Sequence, residues 1–470
     1  MKTTRRDFLL SVGAVGAVSS LNYFGALNAL AQTATNDYKA LVCIFLYGGN
    51  DGNNTIIPVD GRYADYAKVR TSADIGLPKP SGTQLLTPPG GGAAQFGLHP
   101  ALVDLAPLYT AGKMAVLFNV GTLLQPFNSV SDFNAASYTV KPANLFSHSD
   151  QQQQWQTGIV TEYSRTGWGG RIADRLGVLN GAGPIPMIIS PDNASLFMSG
   201  ENTSPLTIPA NGGFGLEGYG DSPGNFYNAA NKARYDVLQE LLAIDREAAL
   251  VRGAGDINKA AISASEAITS LLVKTDSVAA ATFNASAGNA ANSFFAQSLR
   301  QVAKVIEVNS TLGLKRQIFF VQLGGFDTHN DQLGGQQKLL AELGPSLKAF
   351  QDAIDKIGLT NNVTTFTNSD FGRTLLPASG GGTDHAWGNH HFIIGGAVKG
   401  GTNYGTFPTL GLGQANSPDD VSDEGRWLPT TSADQYAATL ASWFGVSATD
   451  MKYVLPNLVN FNSSNLGFMA

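Results

Sequence analysis

The chain has 470 residues and a formal net charge of −6, and only 14% of its residues are charged. With no basic block after the first ten residues, that balance argues against nucleic acid as a partner. An apolar fraction of 43% argues against wholesale disorder, and Cys43, the only cysteine, leaves no intramolecular disulfide to form.

The first thirty or so residues read as an address. In TTRRDFLL, Thr3 to Leu10, an arginine pair precedes Asp7, Phe8 and Leu9, and a weakly apolar Ala/Val/Gly/Ser run follows. The run closes at Ala29-Leu30-Ala31, a small-x-small site of the kind a signal peptidase accepts. The segment resembles a twin-arginine export signal. A membrane anchor is the alternative, but glycines, serines and Asn22 interrupt the run. The expectation is a signal peptide over residues 1–31, the twin-arginine translocase as export partner, a periplasmic or secreted location, and no stable transmembrane anchor in the mature form.

Strand and helix signals then alternate, as in a parallel sheet covered by helices. The apolar run Leu41 to Tyr47 suits a strand buried on both faces. It leaves through GGNDGNN, which admits three readings: a plain turn, a phosphate-cradling loop, or the first half of a metal site. Further strands are predicted at Met114 to Val120, Ile185 to Ile189, Gln317 to Leu323 and Val363 to Thr367. Helices are predicted at Trp168 to Leu179, from Phe295 to Ile306, and from Leu343 to Ile357 with a kink or restart at Gly344-Pro345. Ser432 and Gln435 form a capping box before a last helix that Gly445 stops. Between about residues 225 and 291 an alanine-rich stretch reads as a helical insertion.

The six histidines are the strongest chemical signal: His99, His148, His329, His385, His390 and His391. GGFDTHNDQ puts Asp327 and His329 just past a predicted strand, two residues apart, so that in extended backbone both side chains point one way. A carboxylate with an imidazole suits a divalent metal, although a polar turn explains an isolated pair equally well. TNSDFGRTLLPASGGGTDHAWGNHHF then gathers Asp370, Arg373, Asp384, His385, His390 and His391 after another strand. Open α/β sheets bind ligands at the carboxyl ends of strands. If the three strands before Asp51, Asp327 and Asp370 are neighbours, these carboxylates crowd together and call for a cation or for protonation. SHSDQQQQWQTG offers Ser147, His148, Ser149 and Asp150 at a helix start, where Ser147 is either a nucleophile or a plain cap. Arg373 either holds a phosphate or sulfate oxygen or pairs with a carboxylate. GGNDGNN lacks the spaced glycines and lysine of a P-loop. Asp51 thus becomes a candidate metal ligand, with Asn53 and Asn54 beside substrate or behind the metal.

LVCIFLYGGNDGNNTIIP, LHPAL, SHSDQQQQWQTG, TGWGGRIAD, GGFDTHNDQ, SDFGRT, GGTDHAWGNHHFIIGGAVKGG and GRWLPTTSADQYAATLASWFG, in that order, resemble the bacterial exported family called domain of unknown function 1501. That family is similar to the alkaline phosphatase superfamily, which includes sulfatases. The resemblance implies one α/β domain over residues 38–470, a three-layer α/β/α sandwich with a mostly parallel sheet. It also implies one or two divalent metal ions, zinc, manganese or calcium, acting on an anionic ester. By position, Asp51, Asp327, His329 and Asp370 look like ligands. Asp384, His385, His390 and His391 complete the candidate metal set, and Ser147, His148 and Arg373 the catalytic one. Three departures stand out, the first being that Asp327-Thr328-His329 is spaced more tightly than the usual phosphatase element. Phe371 occupies the place after the later aspartate where the superfamily usually has histidine, and no Cys-x-Pro-x-Arg sulfatase signature exists. The rival reading is a non-catalytic secreted or cell-surface protein that keeps a structural metal.

Overall fold

The computed structural model describes residues 38–71, 74–216, 220–222, 224–244 and 248–470. The expected signal peptide over residues 1–31 lies outside the described residues.

Lys39–Leu46 is the central strand, and its all-apolar run from Ala40 onward has a simple cause. Ala40, Val42, Ile44 and Leu46 enter the core on one face of the sheet, while Leu41, Cys43 and Phe45 enter the core on the other. A strand covered on both faces has no solvent side, so the period-2 alternation of side chains leaves no polar positions. Cys43 is a buried free thiol whose pKa burial pushes up.

Among the described residues the main sheet has nine strands. Their order is Asn403–Tyr404, Met114–Gly121, Asn389–Ile394, Val363–Ser369, Lys39–Leu46, Arg316–Leu323, Ile188–Ser190 and Leu206–Thr207, with Thr431–Ser432 also paired to Met114–Gly121. Neighbours are parallel except where Asn389–Ile394 runs against both of its partners. Helices Phe294–Glu307 and Gln332–Lys356 fill one face; His148–Thr157, Trp168–Leu176 and Ala433–Phe444 fill the other. The architecture is the expected α/β/α sandwich.

Differences from the sequence reading are local. Gln332–Lys356 is one helix through Pro345, without the restart expected at Gly344-Pro345. Gly344 there lets the helix lie against the 101–102 backbone, since a Cβ would come within 3.0 Å of the Ala101 carbonyl oxygen. In the alanine-rich region the helices are Ala229–Ala243, Ala249–Leu272 and Val278–Ala287. Ala264, Ile268, Leu272, Ala279 and Phe283 belong to the core of the sheet domain, whereas Val237, Leu241 and Ile244 are exposed. The Ser432–Gln435 capping box and the left-handed Gly445 are present as expected.

Candidate metal centre

The three strands that precede Asp51, Asp327 and Asp370 are adjacent and parallel, with Lys39–Leu46 in the middle. Their carboxyl ends open on one side, where loops from distant parts of the chain meet. Gly48 and Gly49 shape the central exit. Both have positive φ, +112° and +80°, and a Cβ on Gly48 would sit 2.4 Å from the backbone nitrogen of Asp327. Only glycine permits that approach.

Three imidazoles gather above this exit. His148 Nε2 lies 3.1 Å from His385 Nε2, and His329 Nε2 lies 3.0 Å from the same atom. Asp327 Oδ1 is 3.4 Å from His148 Nε2, 3.3 Å from His385 Nε2 and 3.0 Å from His329 Nε2.

Each ring is oriented from behind by a group that can only accept a hydrogen bond. His148 Nδ1 is 2.7 Å from Asp370 Oδ2, His329 Nδ1 is 3.0 Å from Asp384 Oδ1, and His385 Nδ1 is 2.7 Å from the Phe146 carbonyl oxygen. Each Nδ1 therefore carries a proton, and each ring turns its Nε2 toward the others. Nitrogens at such separations repel unless a proton or a metal cation lies among them, and Arg373 already donates to the Asp327 oxygen they surround. Metal-ligating histidines are held by this carboxylate or carbonyl backing.

The spacing fits a cation. Four ligands at about 2.0–2.1 Å in a tetrahedron are about 3.3 Å apart. The His148, His385 and Asp327 ligand atoms are separated by 3.1, 3.3 and 3.4 Å. Among the described residues, His148, Asp327 and His385 could each offer one ligand atom to a metal ion. His329 shares the Asp327–His385 edge from its own side, with Asp384 behind it. The side chains of Asp327, His329 and Asp384 are 46%, 39% and 51% exposed, so the cluster opens to solvent on that side.

Electrostatics follow the same geometry. Burial works to raise the Asp327 pKa, but the Arg373 hydrogen bond and charge, with help from His148 and His329, outweigh it and hold the carboxyl at about 2. The Asp370 hydrogen bond raises the His148 pKa against burial. Burial lowers that of His385 despite the Phe146 carbonyl.

Several sequence candidates take other roles. Asp51 is fully buried and ion-paired to Arg70, with Nη1 2.5 Å from Oδ2 and Nη2 3.0 Å from Oδ1. Gln332 Nε2 at 2.6 Å and the Asn53 amide at 3.1 Å complete its contacts, and it caps the short helix Gly52–Thr55. The expectation that Asp51 shares an ion with Asp327 and Asp370 does not survive these surroundings. Its charge is matched, and both oxygens are engaged.

Asn53 bonds to the Arg373 carbonyl and the Trp427 indole, and Asn54 to the Ile75 carbonyl, Tyr66 and Arg70. Both are buried structural groups. Arg373 is buried and donates to Asp327 and to the carbonyls of Gly48, Gly49 and Thr383. It positions Asp327 and the strand exit, and its contacts are with protein oxygens.

His390 and His391 belong to the Asn389–Ile394 strand and sit in the core. The Asn119 amide donates to His390 Nδ1 at 3.1 Å, and burial pulls its pKa down to about 4. His391 stacks on Tyr436 with its Nε2 unpartnered, and burial lowers its pKa to about 3. Strand position explains the difference from His385, which stands on a separate two-stranded ribbon over the exit. Phe371, in the place where histidine was expected, packs its ring against His148 and His385 at 4.7 and 4.6 Å. Ser147 precedes the first turn of His148–Thr157, and its Oγ donates to Asp150 at 2.6 Å. No imidazole is within hydrogen-bonding distance of that hydroxyl among the contacts described.

Sequence reasoning missed Gln152, whose Nε2 donates to Asp370 Oδ2 at 2.7 Å beside His148. The i, i+4 spacing of His148 and Gln152 on one helix was the available signal. Phe146 was missed because its contribution is a backbone carbonyl. Its φ of +72° is left-handed, a conformation that costs a bulky residue about 1–3 kcal/mol.

Fold and cluster define an α/β protein with a histidine–aspartate cluster at the carboxyl edge of a mostly parallel sheet. The chain belongs to the family described as Protein of unknown function (DUF1501), whose profile matches residues 38–450. No curated protein matches the sequence. Among solved structures it is similar to Ps i-CgsB in complex with k-i-k-neocarrahexaose, at 11% identity and TM-score 0.30 over 88% of this chain and 74% of that one. It is also similar to a 2-O GAG sulfatase, at 9% identity and TM-score 0.27 over 89% and 75%. A third is wild type alkaline phosphatase PafA, at 11% identity and TM-score 0.28 over 73% of this chain and 64% of PafA's.

Proposed function

We propose that the protein is an exported, divalent-metal-dependent hydrolase of a phosphate or sulfate ester. The observation that carries the reading is the convergence of three Nε2 atoms on Asp327 Oδ1, each ring held from behind at Nδ1. His148, His385 and Asp327 would hold the ion, with His329 on the open side. Zinc suits three such ligands best, and manganese is the alternative among imidazole-tolerant ions. Calcium, which takes oxygen ligands, fits this donor set poorly.

When bound, such an ion supplies Lewis-acid polarisation of ester oxygens and activation of water. The protein's own residues do the rest. Asp370, to which Gln152 donates, holds His148, Asp384 holds His329, and Arg373 keeps Asp327 ionised. Phe371 walls the site with an apolar ring. On this reading the attacking group is water, and Ser147 Oγ donates to Asp150.

The rival reading, a structural metal in a non-catalytic surface protein, is disfavoured by the exposure of Asp327, His329 and Asp384. Structural zinc sites are closed, and catalytic ones keep an open position. Export through the twin-arginine translocase rests on residues 3–31, and the periplasmic or secreted location with it. Among the described residues no helix is long and apolar enough to cross a membrane.

The test is elemental analysis of the purified protein, followed by a panel of aryl phosphates and sulfates before and after H148A and H385A. Bound metal with turnover that both variants abolish supports the proposal. Tight metal with no turnover on any ester selects the structural reading, and absence of metal affinity refutes both.

A further inference from the structure

His385 differs from the other two cluster histidines in what orients it. His148 and His329 rest on carboxylates, but His385 Nδ1 rests on the Phe146 carbonyl at 2.7 Å. A carbonyl is aimed by backbone torsion alone, and at Phe146 the torsion is one that a bulky residue avoids, φ +72°. Such a conformation persists only where its surroundings over-determine it.

Those surroundings are specific. The Phe146 ring packs in an apolar cluster with Leu145 and Trp387. The Arg426 guanidinium carbon lies 5.0 Å from the ring centroid, and Arg426 Nε donates to the His385 carbonyl at 2.6 Å. Glu424, 2.6 Å from Arg426 Nη1, holds that guanidinium in place. One side chain therefore grips both partners of the Nδ1–carbonyl bond, the ring of one residue and the backbone of the other.

We propose that Phe146 is a positioning residue for the cluster. Its left-handed backbone aims its carbonyl at His385 Nδ1, which keeps the His385 Nε2 lone pair facing Asp327, and Arg426 clamps the pair. The proposal rests on the cation-site reading for its purpose, but the tautomer it specifies belongs to the cation-free protein and is measured there.

The first readout is the imidazole nitrogen spectrum of ¹⁵N-histidine-labelled, metal-free protein near pH 8, with His385 assigned by its loss in H385A. The expected spectrum has the His385 proton on Nδ1. A proton on Nε2 overturns the proposal whatever the variants do.

The second readout is zinc affinity by calorimetric titration. F146P forbids positive φ and should raise the zinc Kd about 10- to 100-fold, the usual effect of removing a group that orients a metal-ligating histidine. F146G, which removes the ring but favours positive φ, should bind zinc more tightly than F146P and keep the Nδ1 proton. A folded F146P with wild-type Kd and tautomer overturns the proposal. If F146P does not fold, R426A decides: a mixture of His385 tautomers and a weaker Kd support the clamp, and an unchanged tautomer with unchanged Kd overturns it. Should the wild-type protein bind no zinc yet show the Nδ1 proton, the cation-site reading falls while the Phe146 assignment stands.

Discussion

Replacing Arg70 by methionine separates a structural Asp51 from a metal-ligating one. Arg70 and Asp51 both have 0% side-chain exposure, and Arg70 makes five hydrogen bonds: two to Asp51, one to Asn54, and one each to the carbonyls of Thr374 and Leu375. R70M leaves the Asp51 carboxylate buried with only Gln332 and the Asn53 amide as partners. Breaking a buried pair by removing one member costs about 3–5 kcal/mol, because the remaining charge is uncompensated. D51N leaves Arg70 in the mirror situation, so its cost should be similar. The double variant R70M/D51N should cost less than the sum of the two, since neither charge is then stranded. The assay is urea unfolding in the presence of a chelator, so that metal affinity does not enter. A loss under about 1 kcal/mol for both single variants would refute the reasoning, which sets 3–5 kcal/mol for a stranded charge. So would a D51N protein of wild-type metal-free stability whose zinc affinity collapses, since that is the behaviour of a ligand.

Other outcomes follow from the same geometry. H391F should keep full zinc affinity and unfold within about 1 kcal/mol of wild type, because Nε2 of His391 is already unpartnered and no hydrogen bond is lost there. G48A should lower both stability and zinc affinity, since its Cβ would press on the Asp327 backbone at 2.4 Å in a left-handed conformation; urea unfolding and zinc titration measure the two effects. Saturating zinc at 100 times Kd should raise the unfolding free energy by about 2.7 kcal/mol, a gain that excess chelator removes and H385A never shows. Acid should destabilise the metal-free fold before most of its carboxylates titrate. His99, His390 and His391 have folded pKa values of about 4, 4 and 3, each lowered chiefly by burial from 6.5. Their contribution is complete above 6.5 and is lost as pH falls toward 4, at about 1.4 kcal/mol per pH unit for each proton the unfolded chain takes up. Asp434, raised by burial to about 7, acts with the opposite sign over the same range. Unfolding free energy followed from pH 7 to 4 checks the net loss, and the combined variant H99Q/H390Q/H391F should flatten it.

The local elements were legible because their causes are local. The Lys39–Leu46 strand shows as an unbroken apolar run since both of its faces are covered, and the Ser432 capping box and Gly445 stop are short-range chemistry at the ends of one helix. Even the carboxyl-edge placement of Asp327 and Asp370 was readable, because each follows a recognisable strand. Of the kink or restart expected at Gly344-Pro345, the restart is absent, and the helix there lies close against Ala101 and Leu102.

Membership of the site was a different matter. His385 and His390 are five residues apart and alike in composition of surroundings, yet one faces the cluster and the other the core. What separates them is that residues 382–385 form a ribbon with Arg373–Ala378, while 389–394 enter the main sheet between Val363–Ser369 and Met114–Gly121. Asp51 likewise leaves the neighbouring strand as the pattern requires, but the distant Arg70 takes its charge. The sequence by itself determined the layered fold, the family, and the set of histidines and aspartates from which a site is drawn. Only the tertiary structure decided which of them meet, because strand pairing, ion-pair choice and a carbonyl aimed by one backbone torsion are contacts between residues far apart in the chain.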